Sequence, residues 1–225
     1  KPSTAGSAIV PLEQSTDFKI SSQVIKSLIA NGTELSSIDL NNATSMNRLN
    51  VVQICCENGI NPNLQSSAGN TAVHTAAMMN KPEILEELLK HGGDPCMKND
   101  GGETSLHLAI RHDRIKCFQI IMRNIGTLPN NNGMDEQTVS TVLNEAAEYG
   151  STTTLNELLA KSTISQEQLN NSYTRIVSLR QSMEVMIKAN PRLSNGLHAS
   201  YMKKENIFKQ RGAVLTVESH EGILM

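Results

Sequence analysis

The chain has 225 residues, 38% of them hydrophobic and 19% charged, with a formal net charge of -2. This length suits one elongated domain or two small ones. The small net charge argues against an electrostatic surface for nucleic acid or anionic membranes. Aromatic residues make up only 3%, with no tryptophan, which leaves few platforms for base stacking. We therefore expect neither nucleic acid nor a membrane as a partner.

The four cysteines, Cys55, Cys56, Cys96 and Cys117, show neither CxxC spacing nor a zinc-knuckle pattern. We interpret them as reduced thiols of a protein in a reducing compartment. No apolar run approaches the ~20 residues of a membrane span, so the expected location is the cytoplasm. The chain begins with Lys1 rather than Met. A fragment of a longer protein and a removed targeting segment therefore both stay open.

Two weaker segments precede the clearest pattern. Residues 1–19 are predicted to be an N-terminal extension. Residues 21–32, SSQVIKSLIANG, have the apolar spacing of one helix. We interpret them as the second helix of an incomplete leading repeat, because the end of a repeat stack needs a polar outer face.

Two stretches in the middle of the chain match each other at an offset of 33 residues. Thr71 matches Thr104, and His74 matches His107. A fixed period of this length is typical of stacked helix pairs. The threonine can cap a short first helix, and Gly92 can end the second helix in a left-handed conformation.

Weaker copies lie on both sides of this pair. Subtracting 33 residues places Leu40 at the position of Val73 and Ala43 at that of Ala76. This copy has lost the threonine and the histidine. A fourth copy needs an offset of 37 residues, and its four extra residues fall in the turn-rich segment 126–137.

The two strong copies resemble ankyrin repeats, whose motif runs G-x-T-P-L-H-x-A-A and whose second helix ends L-L-x-x-G-A-D. They read GNTAVHTAAMMNKPEILEELLKHGGDP and GGETSLHLAIRHDRIKCFQIIMRN. Ala72 and Ser105 stand where the family has proline, and Gly93 and Asp113 stand where it has alanine and glycine. The resemblance implies an all-α ankyrin-repeat solenoid of about four helix-turn-helix repeats, with short hairpin loops and helical caps.

The resemblance also divides the chain. The repeat stack is predicted over residues 20–161, and the complete repeats are expected at about 34–62, 63–97, 98–130 and 134–161. A capping box at Ser165 and apolar residues at helical spacing predict a C-terminal helical cap over residues 162–191, as one long helix or two short ones. Residues 192–225 are interpreted as a tail or the start of a further domain.

The repeated histidines have a structural and a chemical interpretation. In ankyrin repeats this histidine bonds to the hairpin backbone and to the threonine three residues earlier. The resemblance therefore assigns structural roles to Thr71, His74, Thr104, His107 and Gly92. Catalysis or metal binding by the histidines is the alternative that we consider against it.

The chemical alternatives lack support in the spacing. His107, His112 and Cys117 are five residues apart, whereas ligands on one helix are three or four apart. A cysteine protease would need Cys96 beside His91 or His198, and no sequence context supports that pair. We predict no enzyme activity, no metal and no cofactor.

Two polar segments stay ambiguous. Residues 201–211 contain four basic residues, and we interpret them as a solvated amphipathic helix, with a nucleic-acid or phosphoinositide patch as the alternative. Residues 133–137, GMDEQ, form either a hydrophilic loop or a finger that reaches a partner.

Ankyrin stacks bind through a concave face that first helices and hairpin tips line, and the resemblance transfers its variable positions. The predicted partner-binding residues are Met46, Ser67, Asn70, Met78, Met79, Asp100, Glu103, Arg111, His112, Glu148 and Tyr149. Exposed methionine is adaptable and suits peptide binding, whereas tyrosine and arginine are frequent hot-spot residues. The alternative for the adjacent methionines is packing beneath a neighbouring hairpin.

The predicted function is a protein–protein interaction module that binds a partner protein through the concave groove and the hairpin tips. We expect a monomer. The alternative is a non-catalytic scaffold segment of a larger multidomain enzyme, or a secreted bacterial effector that reaches a host cytosol. The effector hypothesis rests on family analogy alone.

Overall fold

A computed structural model describes residues 37–125, 135–161, 164–190 and 195–215 of the chain. Within these ranges there are ten α-helices and no strand, which confirms the predicted all-α class. The helices are α1 Ser37–Ser45, α2 Leu49–Glu57, α3 Ala72–Met78, α4 Pro82–Lys90, α5 Ser105–Arg111, α6 Ile115–Ile125, α7 Glu136–Glu148, α8 Thr152–Lys161, α9 Gln166–Ala189 and α10 Asn195–Gln210.

The chain divides into two compact units, which we call unit 1 (Lys1–Ser105) and unit 2 (Leu106–Met225). In unit 1, α1 packs on α2 and α3 packs on α4. The first helices α1 and α3 also contact each other, as do the second helices α2 and α4. Unit 1 is therefore built from helix pairs that stack in register.

Local sequence explains the helix boundaries in unit 1. Thr71 forms the predicted cap of α3, with its side chain accepting from the backbone N–H of His74. Pro82 opens α4, where its missing N–H leaves no hydrogen bond unmade. Gly92 follows α4 with a φ of 85°, a conformation that costs glycine little.

The 33-residue period appears directly in the backbone. Asn47, Asn80 and Asp113, each 33 residues after the last, have φ angles of 57°, 55° and 51°. Asparagine and aspartate tolerate this left-handed conformation better than other residues with a side chain. Asp113 therefore fills the position of the family's glycine without changing the turn.

Unit 2 ends in a helix pair that is longer than the pairs in unit 1. The predicted capping box of Ser165 is confirmed, and one continuous helix, α9, runs from there to Ala189. It packs on α7 and on α10, and α10 packs on α8. Residues 192–225 thus contain a helix whose Phe208 is fully buried.

Only the first half of α9 is covered. Its buried residues are Gln168, Leu169, Ser172, Tyr173, Ile176 and Val177. The apolar pattern continues, but Met183 and Ile187 are half-buried and Met186 is exposed. The helix continues because its residues are good helix formers, while its burial ends because neighbouring helices end.

Several predictions lie outside the described residues. They concern the N-terminal extension 1–19, the leading helix 21–32, the loop residues 126–134 and the end of the chain from residue 216. Among the described helices, none combines the length and the apolar character that crossing a membrane requires.

Candidate protein-binding surface

Side-chain amides join successive hairpins in unit 1. Asn63 accepts from the backbone N–H of Asp94 at 2.7 Å and donates to the carbonyl of Gly92 at 2.9 Å. Gln65 donates to the carbonyls of Gly69 and Lys98 at 2.9 and 3.0 Å. We call this set of bonds the amide ladder. It holds the hairpin after α2 against the hairpin after α4 without using charge.

The hairpin tips of unit 1 approach each other closely. The Asn99 side chain donates to Asn70 Oδ1 at 3.0 Å and accepts from the backbone N–H of Glu103 at 2.9 Å. A Cβ on Gly69 would lie 2.5 Å from the backbone nitrogen of Asp100, so only glycine fits there. Of the predicted tip residues, Asn70 and Glu103 therefore take part in the hairpin structure. Ser67 and Asp100 are exposed.

His74 links its own helix to the next hairpin. Its Nδ1 lies 2.9 Å from Thr71 Oγ1 and accepts from the backbone N–H of Thr71 at 3.2 Å. Nε2 therefore carries the proton and donates to the carbonyl of Glu103 at 3.1 Å. Burial lowers the pKa of His74, which keeps the ring neutral. These contacts describe a structural histidine rather than a base or a ligand.

His107 has a different partner, although it holds the equivalent position. The Thr141 hydroxyl donates to the carbonyl of Thr138 at 3.0 Å, so its oxygen accepts from His107 Nε2 at 2.9 Å. The bond joins α5 to α7 within unit 2. Thr141 is the motif threonine at the offset of 37, but it lies inside α7, because that helix already begins at Glu136. Thr104 is buried.

The ends of the first helices in unit 1 carry exposed methionines. Met46 follows α1 and is 54% exposed, and Met79 follows α3 and is 42% exposed. Met78 is half-buried. Thr75 of α3 donates to Asn41 of α1 at 3.2 Å, which joins the two helices side by side. We call Met46 and Met79 the methionine pair.

The predicted residues in unit 2 are mostly charged, and the structure supplies counterions for them. Arg111 of α5 forms an ion pair with Glu145 of α7. Glu148 pairs with Arg175 of α9 at 2.5 Å. Partial burial alone would raise the pKa of Glu148, but the Arg175 hydrogen bond lowers it overall. Glu148 is therefore ionised at neutral pH.

Tyr149 and His112 are the exposed members of the predicted set in unit 2. Tyr149 is 52% exposed at the end of α7. Its hydrogen bond to Glu148 raises the pKa of the phenol, which keeps the hydroxyl protonated and able to donate. Tyr149 thus presents an aromatic ring whose polar end is already oriented.

Two basic residues of the α10 region perform a task that was missed in the sequence. Lys204 is buried and donates to the carbonyls of Ala147 and Glu148 at 2.8 and 3.3 Å. Arg211 donates to the carbonyl of Leu159 at 3.1 Å. Each cation therefore caps the C-terminal end of a helix, α7 or α8, where carbonyls lack partners and the dipole is negative.

This corrects the interpretation of residues 201–211 as a solvated helix. Tyr201, Lys204 and Phe208 are all buried, and their spacing of three and four residues places them on one face. That spacing was a readable signal that Lys204 faces inward. Burial lowers the pKa of Lys204 to about 8, the cost of placing an ammonium there.

The thiols and carboxylates of the described residues do not form a reactive centre. Cys55, Cys56 and Cys117 are buried, and Cys96 is half-buried. Burial raises the pKa of Cys56 and of Cys96 to about 11, so the nucleophilic thiolate is rare at neutral pH. Among the described residues, no group of three or more His, Cys, Asp or Glu side chains could hold a metal ion.

A polar cavity of about 490 Å³ lies in unit 2 where α7 and α9 begin. Its lining includes the capping residues Asp135 and Ser165, together with Glu136 and Glu167. Asp135 accepts from the backbone N–H of Thr138 at 2.6 Å, so this carboxylate is used as a helix cap. The end of the predicted GMDEQ finger is therefore part of the α7 N-terminus.

Comparison with known proteins agrees with the repeat geometry. Residues 40–133 match the family model described as ankyrin repeats, in three copies. No curated protein matches the chain. The matched residues include α1 to α6, the three helix pairs that share the 33-residue period.

Proposed function

We propose, from the premise that residues 40–133 are ankyrin repeats, that this chain is a protein-interaction module. Ankyrin repeats generally serve to bind other proteins. The finer part of the proposal is that a partner protein is held at the exposed ends of the first helices and at the hairpin tips. The observation that carries it is the methionine pair at equivalent ends of two joined helices.

The methionine pair differs from the rest of its helices in exposure. Ala43 and Ala76, three residues earlier in each copy, are buried, so the small side chains pack and the large ones face solvent. Exposed apolar side chains at neighbouring positions favour association. Methionine adapts its shape to a partner because it is unbranched and flexible.

Hairpin geometry supports the same surface in unit 1. The amide ladder fixes the hairpin backbones, so Ser67 and Asp100 are presented from a preorganised structure. Preorganised contacts lose less conformational entropy on binding. Tyr149 with Glu148 offers an aromatic contact of the kind that often dominates binding energy in unit 2.

Binding is favoured over catalysis by the state of the titratable groups. The thiol of Cys96 has a pKa of about 11, and His74 is held neutral in hydrogen bonds to backbone groups. Neither group is prepared to exchange a proton or to attack a substrate.

The test is affinity capture from a eukaryotic cell lysate with the wild-type chain and with a Met46→Ser/Met79→Ser variant. A Leu64→Ser variant is the matched control, because Leu64 is 47% exposed in unit 1 but lies outside the first helices. We expect a protein that the wild type and the control capture and the double variant loses. Captured partners would then be titrated by calorimetry, with a loss of about tenfold in affinity expected.

Equal capture by all three proteins would show that the methionine pair is not the binding surface. Thermal melting of each variant would be measured first. Because both methionines are exposed, their replacement should leave stability within about 0.5 kcal/mol.

A further inference from the structure

Helix α9 contacts α7 through one face and then continues past it. Three α9 side chains, spaced four and three residues apart, bond to successive turns of α7. The pairs are Gln168–Ser140 at 2.9 Å, Ser172–Asn144 at 2.7 Å and Arg175–Glu148 at 2.5 Å. The pairs follow the same order on both helices, so α7 and α9 run parallel. Glu148 is the last residue of α7.

The same face of α9 turns apolar where α7 ends. Leu179, Met183 and Met186 follow Arg175 at helical spacing. Met186 comes 186 − 168 = 18 residues after Gln168, which is five turns at about 3.6 residues each, so the two side chains share a face. Leu179 and Met183 are half-buried, and Met186 is 53% exposed. The polar strip that meets α7 is thus continued by an apolar strip.

A different face of α9 is occupied by α10. Arg180 donates to Glu205 at 2.6 Å, and Glu184 bonds to His198 at 3.2 Å. The Tyr173 and Phe208 rings lie 6.3 Å apart. These contacts hold α9 rigid well beyond Glu148, so the apolar strip belongs to a supported helix.

Tyr149 lies next to the strip. It bonds to Glu148, and Glu148 is held by Arg175 on the face of α9 that carries the strip. The ring is 52% exposed. We call Tyr149, Leu179, Met183 and Met186 the α9 ledge.

We propose that the α9 ledge docks a single amphipathic α-helix of a partner protein, laid along α9 where a longer α7 would lie. The argument is continuity, because the ledge extends the α7–α9 helix interface along the same face. The docked helix would present apolar residues at i, i+4 and i+7, to match the spacing of the ledge. The proposal rests on the proposed protein-binding function and adds a second surface with its own class of partner.

The size of the ledge favours one helix over a second copy of this chain. A stable interface buries about 800 Å² on each partner. One row of four side chains supplies much less than that, whereas a helix in a groove uses only three or four anchors.

The test uses a displayed library of 18-residue amphipathic helices, selected against the full-length chain. Selected peptides would be labelled and titrated by fluorescence anisotropy against the wild type and a Met183→Ser/Met186→Ser variant. The control is Val185→Ser, because Val185 is 67% exposed but lies about 100° around the helix from Met186. We expect the double variant to weaken binding by about tenfold or more and the control by less than about twofold.

Three results would overturn the proposal. They are a library without enriched helices, equal binding to the double variant, and a wild-type dimer in light scattering that the double variant abolishes. Peptides that instead depend on Met46 and Met79 would overturn the ledge and leave the proposed function standing. Circular dichroism of each variant provides the folding control, since neither methionine is fully buried.

Discussion

Successive repeats are joined by neutral bonds in unit 1 and by charged ones in unit 2. The amide ladder uses Asn63 and Gln65 with backbone partners. In unit 2 the first-helix layer is joined by the ion pairs of Arg111 and Arg175, and Lys204 caps α7. Neutral hydrogen bonds respond little to salt or pH, whereas exposed ion pairs are screened. The two units therefore solve the same stacking problem with different sensitivity to conditions.

The largest effect in this comparison should come from the core of the terminal pair. Phe208→Ala removes a fully buried ring and should lower the free energy of unfolding by about 3–5 kcal/mol. Urea denaturation followed by circular dichroism measures it. The control is Val214→Ala, at a side chain that is 63% exposed. A loss below about 1 kcal/mol for Phe208→Ala would mean that α10 is not part of the folded core.

The two histidines provide the next test, because they hold one motif position in different units. His74→Ala removes bonds to Thr71 and Glu103 and should cost about 2–3 kcal/mol. His107→Ala should also cost stability, but less, because its Nε2 bond goes to a hydroxyl at the half-buried Thr141 rather than to backbone. Both are measured as shifts of the urea midpoint. An unchanged melting temperature for His107→Ala would contradict its structural role.

Lys204 should make the stability of the chain depend on alkaline pH. Its pKa is about 8 when folded and near 10.5 when unfolded, so the unfolded chain binds more protons between these values. Stability should therefore rise as the pH rises through this window. Lys204→Met should remove that rise and cost about 1–2 kcal/mol at pH 7, because two helix carbonyls lose their donor.

Unfolding free energies measured at pH 7, 8, 9 and 10 test this prediction. Lys209→Met is the control, because Lys209 lies on the same helix but is exposed. Parallel curves for the wild type and Lys204→Met would show that Lys204 is not the titrating group.

The smallest effect should come from the exposed ion pair of unit 2. Arg111→Ala should cost about 0.2–1 kcal/mol at low salt. The difference from the wild type should shrink in roughly 0.5 M sodium chloride, since salt screens exposed charges. Asn63→Ala is the counterpart in the amide ladder, and its cost should not change with salt. Equal salt dependence of both variants would remove the contrast between the units.

Sequence patterns predicted the features that depend on nearby residues. The Thr71 cap, the Gly92 turn and the Ser165 capping box each involve residues within one or two helical turns, and each is present. The 33-residue period also predicted the positions of the helix pairs, because each copy repeats the same apolar spacing. Short-range hydrogen bonds and a repeat period both depend on residue order alone, so they can be recognised in the sequence.

Features that depend on distant partners were not predictable in the same way. Lys204 reaches carbonyls that are 56 and 57 residues away, and no local pattern names them. Thr141 falls inside α7 because Asp135 caps that helix early, which changes the partner of His107. The exposure of Met186 follows from where α7 ends. Helical spacing reveals which face a residue occupies, but not what covers that face.

The amide ladder has a consequence for how such a chain could be inherited. Gln65 bonds to the backbone of Lys98, the residue at its own position one repeat later. A backbone carbonyl is supplied by any residue, so the acceptor survives changes in the side chain. Gain or loss of a whole 33-residue unit by gene duplication would again align such donors with acceptors, whereas gain or loss of part of a unit would leave them unmatched. The ladder thus makes the complete repeat the natural step of genetic change in this region.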